Sequence, residues 1–207
     1  MNSNTVVIKK RKNLVSARSI TMTALLAAIS YVLAFLAFPV PLSPSFARMD
    51  LSDLPALIGA FAFGPVTGVM IELIKNVLQL LSTSTGGIGG LANFIMGASY
   101  VLAAGYIYKN KKTKKMAMWA CGVSSVVMGI VAAIVNYFIL LPLFETFMPL
   151  EQLIALFSEF LPFIQTKLDV VLFNALPFNM IKGLVIGAIT MLVYKRLTPV
   201  LKGEDLK

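Results

Sequence analysis

Two lysines, the asparagines beside them and a few carboxylates are the residues of this chain whose types and spacing could do chemistry. Lys75 falls in the apolar run 66–81 and Lys182 in the run 175–194. Asn76 follows the first, and Asn179 precedes the second by three positions, on the same helical face. A lysine at mid-bilayer costs roughly 2.5–3.5 kcal/mol even on lenient insertion scales, so each needs a partner or a task. Lysine donates only, whereas asparagine donates and accepts, so the Asn179–Lys182 face has the donors and acceptors to hold a ligand.

The surrounding composition says that these runs lie in lipid. The chain has 207 residues, 58% of them hydrophobic and 13% charged. A soluble domain is about a quarter charged. The apolar residues form long runs without strand-type alternation, so the class is an all-α integral membrane protein. There is no histidine, and no cluster of carboxylates or thiolates has metal-ligand spacing, so no metal site is expected. The single Cys121 forms no intrachain disulfide.

The net charge of +9 is not spread as a nucleic-acid site would be. Fourteen of the eighteen basic residues fall in three patches: Lys9 to Arg18, Lys109 to Lys115, and Lys195 to Lys207. No aromatic interleaving accompanies them, so no nucleic-acid partner is expected. They read as positive-inside signals beside membrane segments. Spans are expected over 20–38, 54–63, 66–81, 91–108, 116–141 and 169–194. The two short ones are joined by the Gly64-Pro65 turn, the fifth is stopped by Pro142, and the sixth is interrupted by Pro177. Residues 39–48, 82–90 and 142–167 are expected as outer loops, the last with room for a surface helix. The expectation is one membrane domain over 1–207: a basic segment (1–18), a six-transmembrane-helix bundle (19–196) surrounded by membrane lipid, and a tail (197–207). Both termini are then cytoplasmic.

That topology brings Asp53, Lys75, Asn93, Asn136, Asn179 and Lys182 to one depth near the outer face. The inner half contributes few polar groups. A pocket open to the outside is expected rather than a continuous ion pathway. Structural readings stand beside the ligand reading. Asp53 is placed to cap the second helix, Glu72 and Lys75 have the spacing of a helical ion pair, and Asn93 and Asn136 suit interhelical bonding. On the first span Ala17, Thr21, Ala24 and Ala28 make a small-residue stripe, for packing in the bundle or docking a second membrane protein. Gly183 and Gly187 suit close packing within the bundle.

Six features, in order and placement, resemble a known family. They are the run Asp50-Leu-Ser-Asp-Leu-Pro-Ala-Leu-Ile-Gly59, Phe63-Gly-Pro65, Lys75-Asn76, Asn93-Phe94, Asn136-Tyr-Phe138 with Pro142, and Asn179-Met-Ile-Lys-Gly183. The first-span Ala24 and Ala28 add to them. The pattern is similar to the substrate-binding S components of energy-coupling factor (ECF) vitamin transporters, most closely the riboflavin-specific branch. The resemblance implies a pocket near the extracellular face with the loop after the first span as its lid, where Leu42 and Phe46 are candidate contacts. It implies a non-enzymatic subunit of the bacterial cell membrane that captures riboflavin as transported substrate and carries no cofactor. It also implies docking, through Ala24 and Ala28, on an EcfT-like transmembrane coupling subunit that carries two ABC ATPases. It favours Asn136, Asn179 and Lys182 as ligand contacts over Asp53, Lys75 and Asn93. Another vitamin, thiamine or biotin, is the alternative ligand. A membrane-embedded enzyme is weighed against by sparse acids and bases, and a secondary transporter by the lack of inverted repeats.

Overall fold

The computed structural model describes residues 17–39, 48–82 and 87–202. Leu42 and Phe46 lie outside them. Helix α1 (Ala17–Ala34) is followed by a two-stranded antiparallel ribbon, β1 (Phe38–Pro39) with β2 (Arg48–Met49), that closes the base of the first loop. Arg48 Nη2 ties the ribbon further by donating to Ala37 O at 2.7 Å. The run at 20–38 therefore stops being helical four residues earlier than its hydropathy suggests.

Helices α2 (Asp53–Phe63) and α3 (Pro65–Gln79) form the expected hairpin. Gly64 joins them at φ 111°, a left-handed conformation that favours glycine, and Pro65 opens α3 where its missing N–H is no loss. Helix α4 (Ile88–Asn110) follows, then α5 (Lys114–Glu145), whose first turn is capped by the Thr113 hydroxyl accepting from Met116 N. A nine-residue α6 (Leu150–Ser158) stands in the stretch between α5 and the last helix. The last helix, α7, runs from Lys167–Val170 through a wide turn into Leu176–Lys202. Seven helices thus stand among the described residues where six spans are expected. α6 is the additional one, and it buries Leu153 and Phe157 against Leu141, Ile164, Val170 and Val171. Four helices (α1, α4, α5 and α7) are long and apolar enough to cross a membrane alone.

Pro142 and Pro177 do not end their helices. Each follows a π-helical segment, Asn136–Leu140 in α5 and Val171–Ala175 in α7. A proline inside a helix lacks a donor and crowds the carbonyl four residues back. One extra residue per turn relieves both: Leu141 N–H reaches Asn136 O and Leu176 N–H reaches Val171 O, five residues away. The expected stop and interruption are thereby corrected to two continuous rods with local widening.

Small residues seat α5 on α7. A Cβ on Gly183 would lie 3.1 Å from Ser125 Cα, and one on Gly187 would lie 2.7 Å from Cys121 Cβ. Tyr100 on α4 fastens the same seam by donating to Gly183 O at 2.7 Å. The Gly183–Gly187 pair therefore serves internal packing, as expected. The α1 stripe does not: Ala17, Thr21, Ala24 and Ala28 are all exposed, while Leu26, Ala27 and Ser30 face the bundle.

Candidate ligand site

The polar groups of five helices meet at one end of the bundle. Asp53, in the first turn of α2, makes no cap. The N-cap residue is Ser52, without a side-chain cap bond, and the Asp53 carboxylate is turned inward between two lysines. Its Oδ1 lies 2.7 Å from Lys75 Nζ and its Oδ2 lies 3.0 Å from Lys182 Nζ. The capping expectation fails because the carboxylate is taken up by two buried lysines instead. Lys75 also pairs with Glu72 at 2.6 Å, as the spacing suggests, and donates to Ser52 Oγ at 3.0 Å. Asp53, Glu72 and Lys75 are fully buried. Gly97 permits this arrangement, since a Cβ there would fall 2.6 Å from Glu72 Oε2.

Lys182 is thus not partnerless, although nothing acidic lies one turn away on its own helix. Besides Asp53 it meets Asp50 Oδ1 at 3.7 Å and donates to Asn93 Oδ1 at 3.3 Å. Asp50 is fixed in turn by accepting from Ser52 N at 2.9 Å and Ser52 Oγ at 2.6 Å. Ser52 O accepts from Ser30 Oγ, which ties α1 to the same corner.

Beside this charged corner lies a cavity of about 300 Å³, the lower end of the size range of small-molecule pockets. Asn93, Asn136, Asn179 and Lys182 line it together. Asp53 and Lys75 do not; they stand behind Lys182. All six gather at one end of the bundle, but only four reach the wall. Asn136 Nδ2 donates to Ala132 O and Asn179 Nδ2 donates to Ala175 O, each at 2.8 Å. One N–H of each amide is used on its own helix, so each can still offer Oδ1 and a second N–H, while Lys182 and the Asn93 amide supply further donors. Phe144, Phe157 and Phe178 give the wall flat apolar surface, and Arg48 and Asp50 stand at its edge. The cavity therefore matches a planar, mainly apolar ligand with a mixed donor and acceptor rim.

Sequence reasoning missed several of these groups. Asn174 reaches the wall because the π segment shifts it relative to Asn179, a register that helical spacing does not reveal. Phe157 arrives from α6, inside a stretch assigned to a loop. Asp50 enters the sequence reading only as the first residue of the Asp50–Gly59 run, although its place beside Asp53 is a usable signal.

Residues 18–194 match the family described as ECF transporter, substrate-specific component. The Staphylococcus aureus (strain TCH60) protein named Riboflavin transporter RibU is 37% identical over 94% of this chain and 97% of its own length. The Bacillus subtilis (strain 168) protein named Riboflavin transporter FmnP is 34% identical over 88% of this chain and 93% of its own. A solved structure described as the S component of a bacterial ECF transporter superposes with a TM-score of 0.73 at 36% identity, covering 89% of this chain and 98% of that one. With its apolar helices, this makes the protein a multi-pass cell-membrane protein. The chain belongs to the substrate-specific components of ECF transporters, a family of transporter subunits rather than enzymes.

Proposed function

We propose that this chain is the riboflavin-binding subunit of an ECF transporter, taking the vitamin into the cavity at the outer end of the bundle. One observation carries the reading: Asn93, Asn136, Asn179 and Lys182 line a single cavity beside Phe144, Phe157 and Phe178. The isoalloxazine faces would lie against the aromatic side chains. Lys182 Nζ would donate to a ring carbonyl or nitrogen, and the Asn179 and Asn136 Oδ1 atoms would accept from the ring N–H or the ribityl hydroxyls. Asp53 and Lys75 would act behind them, fixing Lys182 and keeping its charge balanced. The names of the two relatives, with riboflavin in both, support the same ligand.

The α2–α3 hairpin would supply two short crossings, giving six spans with α6 at the outer surface and both termini cytoplasmic. That orientation puts the lysine-rich turn between α4 and α5 inside, as the charge bias requires. Ala24 and Ala28 would seat α1 against an EcfT-like coupling subunit, whose two ABC ATPases would hydrolyse the ATP. The exposure of the whole stripe supports that role. The test is an absorbance spectrum of the detergent-purified protein with riboflavin added and excess removed. Flavin bands with quenched fluorescence are expected. A colourless protein that also gives no calorimetric signal with riboflavin would remove the ligand from the proposal.

A further inference from the structure

The α2–α3 hairpin is too short for the bundle around it. With 11 and 15 residues, α2 and α3 extend about 16 and 22 Å, against about 35 Å for the 23 residues of α4. Both are held at the charged corner, α2 through Asp53 and α3 through Lys75. The shortfall therefore falls at the opposite end. There Pro65 meets α4 at Gly105, where a Cβ would come within 2.8 Å of the proline Cα. Lys109 stands one helical turn further along α4. A notch of about 310 Å³ is left between the hairpin turn and the end of α4. Phe61, Gly64, Pro65 and Tyr108 line it together with Lys109 and Lys112. On the outside of the bundle Val66 and Tyr106 flank it, 66% and 55% exposed.

We propose that this notch binds one anionic phospholipid, with Lys109 and Lys112 on the headgroup phosphate and Val66 and Tyr106 against the acyl chains. A recess sunk into the bundle at a membrane boundary fills with whatever matches both of its ends. Here one end is cationic and the other is apolar and open toward lipid. Among the described residues neither lysine forms an ion pair, so both charges are available. The positive end of α3, which opens at Pro65, borders the same space. Basic pockets between helices on the cytoplasmic side are a recognised form of acidic headgroup site. Charge bias alone would weigh Lys109, Lys111, Lys112, Lys114 and Lys115 alike, but only Lys109 and Lys112 line the notch. The inference rests on the orientation proposed above but not on riboflavin, because no residue of the ligand cavity takes part.

Native mass spectrometry of the full chain, titrated with phosphatidylglycerol or phosphatidylcholine, measures the preference directly. One phosphatidylglycerol should be retained about tenfold or more in preference to phosphatidylcholine. The double variant Lys109→Gln/Lys112→Gln should lose that preference, and Lys111→Gln/Lys115→Gln should keep it. Inorganic phosphate at millimolar concentration should not displace the lipid; if it does, the site takes a free anion and the acyl contacts are wrong. Equal retention of both lipids by the unaltered chain, or equal loss in both double variants, overturns the proposal. If the first double variant does not insert, Val66→Trp fills the notch from the membrane side without changing charge, and it should abolish the single retained lipid. Continued retention in that variant is equally fatal.

Discussion

The two ends of this bundle solve close packing in opposite ways. At the cavity end, Asp53, Glu72, Lys75 and Lys182 are stacked with asparagines, and the helices that carry Asn136 and Asn174 are widened by π segments. Space is held open there. At the other end Phe61, Tyr108 and Tyr194 pack ring against ring with centroids 4.4–5.9 Å apart, and the open space left there is the notch beside the hairpin turn rather than a polar cavity within the bundle. Between the two, glycines bring α5 and α7 into contact. The difference teaches that buried charge here serves a scaffold behind the site as much as the site itself. Lys182 and Asp50 alone both join the ion cluster and reach the cavity wall, among the described residues.

Replacing the shared carboxylate tests that division most severely. Asp53→Asn leaves Lys182 with the more distant Asp50 as its one acidic partner and Lys75 with Glu72 as its own, among the described residues. Breaking a buried pair from one side costs about 3–5 kcal/mol, so a large drop in thermal stability is expected, with loss of riboflavin binding as a consequence. Thermal unfolding in detergent measures it. An unchanged melting temperature would mean that the cluster is not structural, and the contrast between the ends would fall.

At the seam the expected effect is smaller and confined. Gly187→Val places a side chain against Cys121 and the Tyr100 hydroxyl. Overpacking of this kind costs about 1–3 kcal/mol. Stability should fall while riboflavin affinity in the surviving folded protein stays near that of the parent, because Gly187 does not line the cavity. A comparable loss of affinity would show that seam and cavity are one mechanical unit.

At the cavity wall itself, Asn179→Ala removes one neutral acceptor and its backbone tie. A hydrogen bond of this type contributes about 0.5–1.5 kcal/mol, so riboflavin should bind severalfold to roughly tenfold more weakly by fluorescence titration. Stability should change less than in Asp53→Asn. Unchanged affinity would reassign Asn179 to helix support, which its bond to Ala175 O already provides.

These contrasts also mark what the sequence makes legible. Long apolar runs, Gly64-Pro65 and the lysine patches suffice for the helices and the hairpin, because each reflects a strong local rule. The common depth of Asn93, Asn136, Asn179 and Lys182 follows from counting along the runs. Two physical facts escape such counting. A proline signals a break, yet in α5 and α7 the neighbouring helices hold the rod together and the backbone widens instead, which brings Asn174 to the wall. Pairing across helices is also invisible in one dimension. Lys182 has no acid within a turn, and its partner lies 129 positions earlier, at Asp53.

The mildest substitution probes the exposed face of α1 rather than either end. Ala24 and Ala28 are exposed on α1, and their faces touch nothing within the described residues that a larger side chain would crowd out of the core. Exposed substitutions of this kind usually shift stability by no more than about 0.5 kcal/mol. Ala28→Trp should therefore leave the melting temperature and riboflavin affinity nearly unchanged. A close helix–helix contact built on small residues, however, cannot admit an indole. If α1 is the docking face, the variant should fail to co-purify with the coupling subunit and its ATPases, and vesicles should lose ATP-dependent riboflavin uptake. Full uptake would move the docking surface elsewhere, and the stripe would then be no more than a lipid-facing run of small side chains.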